Sequence, residues 1–184
     1  MHVEAHDLPT FAIRRPAGNR RFLYGHEKID EQKVDLFCQD FLDGKLTPDT
    51  KSEPVPTDHQ GHVVNITAST FDDLVLKSDK DVLVDYYTQW CGRCKAMAPA
   101  YESLAKLYAS DPEGSAKVTI GKIDVEANYV EFSVRRYPTI KLYPAEKKDE
   151  AIVYLGSRMT EDMAGFVREH GYHKVEAFHA SKEA

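Results

Sequence analysis

The run Asp81-Val82-Leu83-Val84-Asp85-Tyr86-Tyr87 constrains the fold more than any other stretch of the chain. It is rich in β-branched and aromatic residues and suits a central strand. After Cys91 the pattern turns helical. Met97, Tyr101, Leu104 and Leu107 fall on one face, with Pro99 expected to kink the helix near its start. The joint between strand and helix is Trp90-Cys91-Gly92-Arg93-Cys94-Lys95, so two cysteines sit on a strand-to-helix turn.

The remaining periodicities complete a layered domain. Val118-Thr119-Ile120-Gly121-Lys122-Ile123-Asp124 reads as a second buried strand, and Tyr129 to Arg135 as a short helix. Thr139-Ile140-Lys141-Leu142-Tyr143, opened by Pro138, and Ile152-Val153-Tyr154 read as two more strands. Gly156 then makes a turn before a closing helix from Thr160 to Glu169. With Val63-Val64-Asn65 as an edge strand and Thr70 to Leu76 as a first helix, residues 62–178 predict an α/β domain with a mixed sheet.

The amino-terminal quarter is a partial internal repeat. Leu8-Pro9-Thr10-Phe11-Ala12-Ile13 aligns with Tyr137-Pro138-Thr139-Ile140-Lys141-Leu142, and Phe22-Leu23-Tyr24 with Val153-Tyr154-Leu155. Pro9 and Phe37 are 28 residues apart, as are Pro138 and Phe166. Residues 1–46 therefore read as the second half of another domain of the same type, without its central strands. One hairpin and one helix bury too little apolar surface to offset their ordering entropy, so this piece is expected to be marginal alone and the chain to be a fragment. Pro48, Pro54 and Pro56 make residues 47–61 a stiff linker, and residues 179–184 a tail.

Composition narrows the partners. Lysine and arginine number 24 against 30 acidic residues, a formal net charge of −6 with no long basic run, which argues against nucleic acid. No run approaches the roughly 18 to 20 apolar residues that span a bilayer, so no membrane partner is expected, and Met1 to His6 has no signal-type apolar stretch.

Three cysteines are too few for a disulfide-stapled fold. Two of them, Cys91 and Cys94, have the spacing of a redox pair. A thiolate, not a thiol, attacks a disulfide, and the unpaired N–H groups of a helix amino terminus favour that anion. Cys91 is the expected nucleophile, exposed at the turn, and Cys94 the resolving thiol one turn deeper. Gly92 and Arg93 fill the gap, and the permanent charge of Arg93 is expected to favour thiolate over disulfide. A zinc site would need two more ligands at comparable spacing, so no metal is expected, and haem attachment would need histidine where Lys95 stands. An inert buried pair is the remaining alternative.

Val84 through Lys95, Gly121-Lys122-Ile123-Asp124, Arg136 through Pro144 and Gly156 together resemble the protein disulfide isomerase family of the thioredoxin superfamily. Phe37 through Leu46 and Ser52 through Pro56 are similar to the end of its second non-catalytic domain and the linker before the second catalytic domain. The resemblance implies a thioredoxin-like mixed sheet flanked by helices, preceded by an incomplete second thioredoxin-like half-domain. It implies oxidation, reduction and isomerisation of disulfides in unfolded or misoxidised secretory proteins, in the endoplasmic reticulum lumen. A thiol oxidase or glutathione would be the redox partner, with no cofactor. The chain ends Ala180-Ser181-Lys182-Glu183-Ala184, without a retention tetrapeptide.

Site residues carry over by position. Pro138 is implied to be a cis-proline facing the cysteines, with Trp90, Tyr137 and the adjoining backbone holding an extended substrate peptide. Asp85, where glutamate is usual, is implied to be the buried acid that exchanges protons with Cys94, and Lys122 its buried partner. Arg135 is matched to a mobile arginine that eases ionisation of the resolving cysteine, with Arg136 as its rival. Arg93 stands where histidine is usual and cannot titrate, so the balance of oxidase, reductase and isomerase activity stays open. A client-binding module with little turnover and a general thioredoxin-type reductase are the alternatives.

Three features have plainer readings. Cys38, near Leu36, Phe37 and Phe41, reads as a small core residue. Asn65-Ile66-Thr67 is a glycosylation sequon that matters only in the secretory pathway. His170, His173 and His179 read as solvated residues near the end of the last helix.

Overall fold

A computed structural model describes residues 11–15, 20–25, 29–47, 49, 51–57 and 61–177. Leu8, Pro9 and Thr10 of the repeat, Pro48 of the linker, and His179 with the tail lie outside the described residues. The chain divides into two compact units, one of Met1–Lys51 and Tyr129–Ser133, the other of Ser52–Asn128 and Val134–Ala184.

In the smaller unit, strands β1 (Ala12–Arg15) and β2 (Arg20–Leu23) pair antiparallel and lead to helix α1 (Glu31–Leu42). Asp30 caps that helix by accepting from the N–H groups of Gln32 and Lys33 at 3.1 and 3.2 Å. Phe22, Tyr24 and Phe37 form a small aromatic core, on which Phe11 stacks at 4.7 Å from Tyr24. Leu36 and Leu42 stay exposed at 60% and 75%, so the unit leaves apolar surface uncovered. Cys38 is half-buried and free.

The larger unit holds a five-stranded sheet in the order β3-β5-β4-β6-β7. Its strands are β3 (Val64–Asn65), β4 (Asp81–Tyr87), β5 (Val118–Asp124), β6 (Thr139–Tyr143) and β7 (Ile152–Tyr154). β5 runs parallel to β3 and β4, whereas β6 runs antiparallel to β4 and β7, which makes the sheet mixed. Helices α2 (Gly92–Ser110), α3 (Pro112–Lys117) and α4 (Thr160–His170) complete the unit. The antiparallel pair β6–β7 followed by α4 repeats the element order of β1, β2 and α1.

Side chains alternate across β4, so Leu83 and Asp85 share one face. Leu83 packs with Met97, Tyr101 and Leu104 of α2 and with Met163 and Val167 of α4. Tyr101 fixes the helix to the sheet, its hydroxyl lying 3.0 Å from the carbonyl of Leu83 and 2.9 Å from that of Gly121. On the other face the Tyr86 and Tyr143 hydroxyls hydrogen-bond at 2.6 Å, and Phe71 meets Tyr143 edge-on. Asp85 is thereby placed on the face of the central strand that α2 covers.

Two expected helices differ. Residues 129–135 form no helix, because the N–H of Tyr129 donates to the carbonyl of Lys51 at 2.7 Å rather than starting a helical ladder. The first helix is shorter than expected and is a π-helical turn, Asp72–Leu76, whose last N–H bond runs from Lys77 to Asp72. α3 is an addition, opened by Pro112 behind the Asp111 cap. α2 continues through Pro99 as one helix.

Candidate active site

The end of β4 delivers Thr88 to Trp90 as a turn, and the N–H of Cys91 donates to the carbonyl of Thr88 at 3.1 Å. Cys91 then becomes the N-cap of α2. Its backbone is extended, and its sulfur accepts the N–H of Cys94 at 3.1 Å. Cys91 and Cys94 are joined as a disulfide with their Cα atoms 5.3 Å apart. A 19-residue helix thus points its amino terminus at the Cys91 sulfur, which favours negative charge there once the disulfide opens.

Exposure does not distinguish the two cysteines as expected. Cys91 is 4% exposed and Cys94 5%, because the disulfide turns both sulfurs toward each other. What separates them is the cap, since only the Cys91 sulfur receives the helical N–H.

Gly92 and Arg93 are exposed on the first turn. A Cβ on Gly92 would meet nothing within 4 Å, so glycine is not demanded there by packing. Arg93 makes no hydrogen bond or ion pair among the described residues.

Asp85 is 5% exposed, and its Oδ1 has no hydrogen-bond partner among the described residues. Burial pushes its carboxyl up to about 7, opposed first by the charge of Lys122 and then by that of Arg158. Lys122 is directly in register with Asp85 on β5, but the expected ion pair does not form. Its ammonium instead lies over the Tyr87 ring, 5.8 Å from the centroid. Tyr87 follows Asp85 by two residues on the same face, and the long lysine stem carries the charge past the carboxylate. The Tyr87 phenol is itself pushed up to about 12, mainly by burial and also by Asp124, Glu53 and Asp85.

The Tyr137–Pro138 peptide bond is cis. Trp90 stands 65% exposed, its ring perpendicular to that of Tyr137 at 5.6 Å. Together they bring aromatic surface beside the disulfide. Arg135 and Arg136 are exposed. Arg135 makes no hydrogen bond or ion pair among the described residues, and the Arg136 carbonyl accepts from the Thr139 hydroxyl at 2.6 Å. The arginine whose charge acts on Asp85 is Arg158, just before α4. The nearby Gly156 in this turn has a physical reason, since a Cβ there would lie 2.6 Å from the Tyr154 hydroxyl.

Three further residues escaped the sequence reading. Glu126 accepts the indole N–H of Trp90 at 2.8 Å. Asn128 is 2% exposed and binds the turn after β5. Thr88 is 1% exposed, and its hydroxyl has no hydrogen-bond partner among the described residues. No local pattern in the sequence carries the approach of Glu126 to Trp90, 36 residues away. Of the histidines, His170 packs on Phe166 at 4.7 Å and a ring nitrogen of His173 meets the carbonyl of Asp79 at 2.8 Å.

Known proteins are similar to this chain in sequence and in fold. The family model described as Thioredoxin matches residues 62–169. The chain is 47% identical over its full length to a protein disulfide-isomerase of Aspergillus niger, covering 36% of that protein. It is 42% identical over 95% of its length to one of Arthroderma benhamiae, covering 34%. The chain therefore spans about a third of the length of these curated relatives. The solution structure of the first thioredoxin domain of mouse protein disulfide-isomerase A4 aligns with a TM-score of 0.54 and 30% identity, covering 72% of this chain and 89% of that one. A fold with its cysteine pair capping the helix after the central strand, matched by family over residues 62–169 and by relatives along the whole length, places the chain in the thioredoxin family, with the protein disulfide-isomerases as its kin.

Proposed function

We propose that the chain carries a thiol–disulfide oxidoreductase and isomerase domain acting on protein disulfides through Cys91. The Cys91 thiolate attacks one sulfur of a substrate disulfide, forming a mixed disulfide and releasing the other sulfur as a thiolate. The Cys94 thiol then passes its proton to the Asp85 carboxylate and attacks the Cys91 sulfur. That step releases the reduced substrate and leaves the Cys91–Cys94 disulfide. The reverse sequence oxidises a dithiol. Isomerisation follows when the released substrate thiolate attacks elsewhere before Cys94 closes the cycle.

The observation that carries this reading is the Cys91 sulfur capping α2, 3.1 Å from the Cys94 nitrogen, over a strand that buries Asp85. Asp85 suits proton transfer because a carboxyl held near 7 is available in both forms at neutral pH. Arg158, more than Arg135, is the arginine we assign to tuning it. Trp90, Tyr137 and Pro138 make the surface for an extended substrate strand beside the disulfide, and Gly92 leaves that surface open.

The repeat of element order and the full-length likeness to isomerases support residues 1–46 as the end of a non-catalytic domain, 47–61 as a linker and 62–178 as the catalytic domain. By the same kinship, the substrates are misoxidised secretory proteins in the endoplasmic reticulum, with glutathione or a thiol oxidase resetting the pair. Refolding of scrambled ribonuclease tests the proposal. Wild-type protein should restore ribonuclease activity and Cys91→Ser should not, while equal recovery with both would refute it.

A further inference from the structure

Trp90 is the chain's single tryptophan and the most exposed aromatic beside the disulfide. A large side chain left 65% exposed on a turn has little packing of its own to hold one rotamer. Its orientation comes from two contacts, the perpendicular Tyr137 ring at 5.6 Å and the Glu126 carboxylate that accepts its indole N–H at 2.8 Å.

Glu126 is itself set by a built turn. Its N–H donates to Asp124 Oδ1 at 2.9 Å, and the Asn128 N–H donates to the carbonyl of Asp124 at 2.9 Å. Asn128 fills all its side-chain bonds. Its Oδ1 accepts from the N–H groups of Glu53 at 3.1 Å and Ala68 at 2.9 Å. Its Nδ2 donates to Glu53 Oε1 at 2.6 Å and to the carbonyl of Asp124 at 3.1 Å. Glu53 is therefore gripped twice, by backbone and by side chain. Its neighbour Ser52 adds a third hold, accepting from the N–H of Ser69 at 3.2 Å.

These contacts form one continuous series from the segment that leads into the catalytic domain to the rim of the disulfide. A satisfied buried amide transmits position because releasing any one partner leaves a buried polar group unpaired. We propose that Glu126 is a positioning residue of the exchange site, holding Trp90 against Tyr137, and that the Glu53–Asn128 clamp couples this hold to docking of the segment before the domain. The proposal rests on the exchange reading for its consequence, since a fixed Trp90 matters where a substrate strand is bound.

The experiment reads Trp90 directly. Fluorescence anisotropy is measured on the reduced full chain for wild type, Glu126→Ala, Glu126→Gln and Glu53→Ala. In parallel, KM and kcat are measured for a disulfide-linked peptide with leucine beside its cysteine. Glu126→Ala should lower the anisotropy and raise KM about 2- to 10-fold, the loss of one aromatic wall, with a smaller change in kcat. Glu126→Gln retains an acceptor oxygen and should restore both. Glu53→Ala, which acts on Trp90 through Asn128, should lower the anisotropy in the same direction by less. Wild-type anisotropy in Glu126→Ala, or a Glu53→Ala protein indistinguishable from wild type, overturns the proposal. The optical readout needs no turnover, so exchange that persists in Cys91→Ser would remove the functional reading while leaving this assignment to be judged on the fluorescence alone.

Discussion

Asp85 and Lys122 face each other in register across β4 and β5, yet they form no ion pair: the lysine caps the Tyr87 ring, and Asp85 Oδ1 has no hydrogen bond among the described residues. A buried carboxylate without a close partner pays most of its desolvation cost, so the folded protein favours the protonated acid.

The sign of the pH effect follows. The carboxyl rises from 3.8 to about 7 on folding, so between those values the folded state holds more protons than the unfolded one. Stability from this group is fully present below pH 3.8 and is lost as pH rises through about 7. The loss is on the order of 4 kcal/mol. Urea unfolding at pH 5 and pH 8 should show wild type losing stability relative to Asp85→Asn at the higher pH. A pH-independent difference between the two would contradict it.

Lys122 acts on Asp85 through its field rather than by contact, and Arg158 acts in the same direction more weakly. Removing either charge should raise the Asp85 carboxyl further, Lys122→Met by more than Arg158→Ala. Carbon-13 titration of the Asp85 carboxyl reads this directly. A downward shift in either variant would show that the positive charges do not set it.

Arg93 is exposed, so any support it gives to a Cys91 thiolate passes through solvent. Arg93→Ala should raise the Cys91 pKa in an alkylation-rate titration, and the difference should shrink as salt is raised to about 1 M. A difference that survives high salt would mean a direct contact absent from this structure.

Asp81, at the start of β4, is fully buried and accepts three backbone N–H groups, from Ala145 at 2.9 Å, Tyr172 at 2.8 Å and His173 at 2.9 Å. It ties the segment after α4 to the sheet. Asp81→Ala should cost about 3 kcal/mol or more in denaturant unfolding, since each buried N–H left unpaired costs about 1 to 3 kcal/mol. Gly171→Ala should destabilise too, because its Cβ would lie 2.5 Å from the Val167 carbonyl and 2.6 Å from Asp81 Oδ2.

Strong local patterns carried the sequence reading. The central strand at 81–87, the strands at 118–124, 139–143 and 152–154, and the helix opening after Cys91 all followed from apolar runs and a change of period. Residues 129–135 misled because their apolar spacing fits a helix, while the N–H of Tyr129 donates to the carbonyl of Lys51, far away in sequence. α3 was missed despite the Asp111-Pro112 start, as six residues carry too little periodicity to stand out. At the site, the cysteine spacing was legible because it is local to one turn, whereas Asp85 was singled out only through the resemblance to the isomerases. The lysine's preference for Tyr87, the reach of Arg158 and the grip of Glu126 on Trp90 depend on how strands and loops far apart in sequence are brought together.

Trapping the covalent intermediate tests the central claim most directly. With Cys94→Ala, a disulfide-containing client such as scrambled ribonuclease should accumulate as an adduct, and peptide mass spectrometry should place the new disulfide at Cys91, reversible by dithiothreitol. Adducts formed equally well after the further change Cys91→Ser, or attached through Cys38, would contradict the assignment of Cys91 as the attacking sulfur.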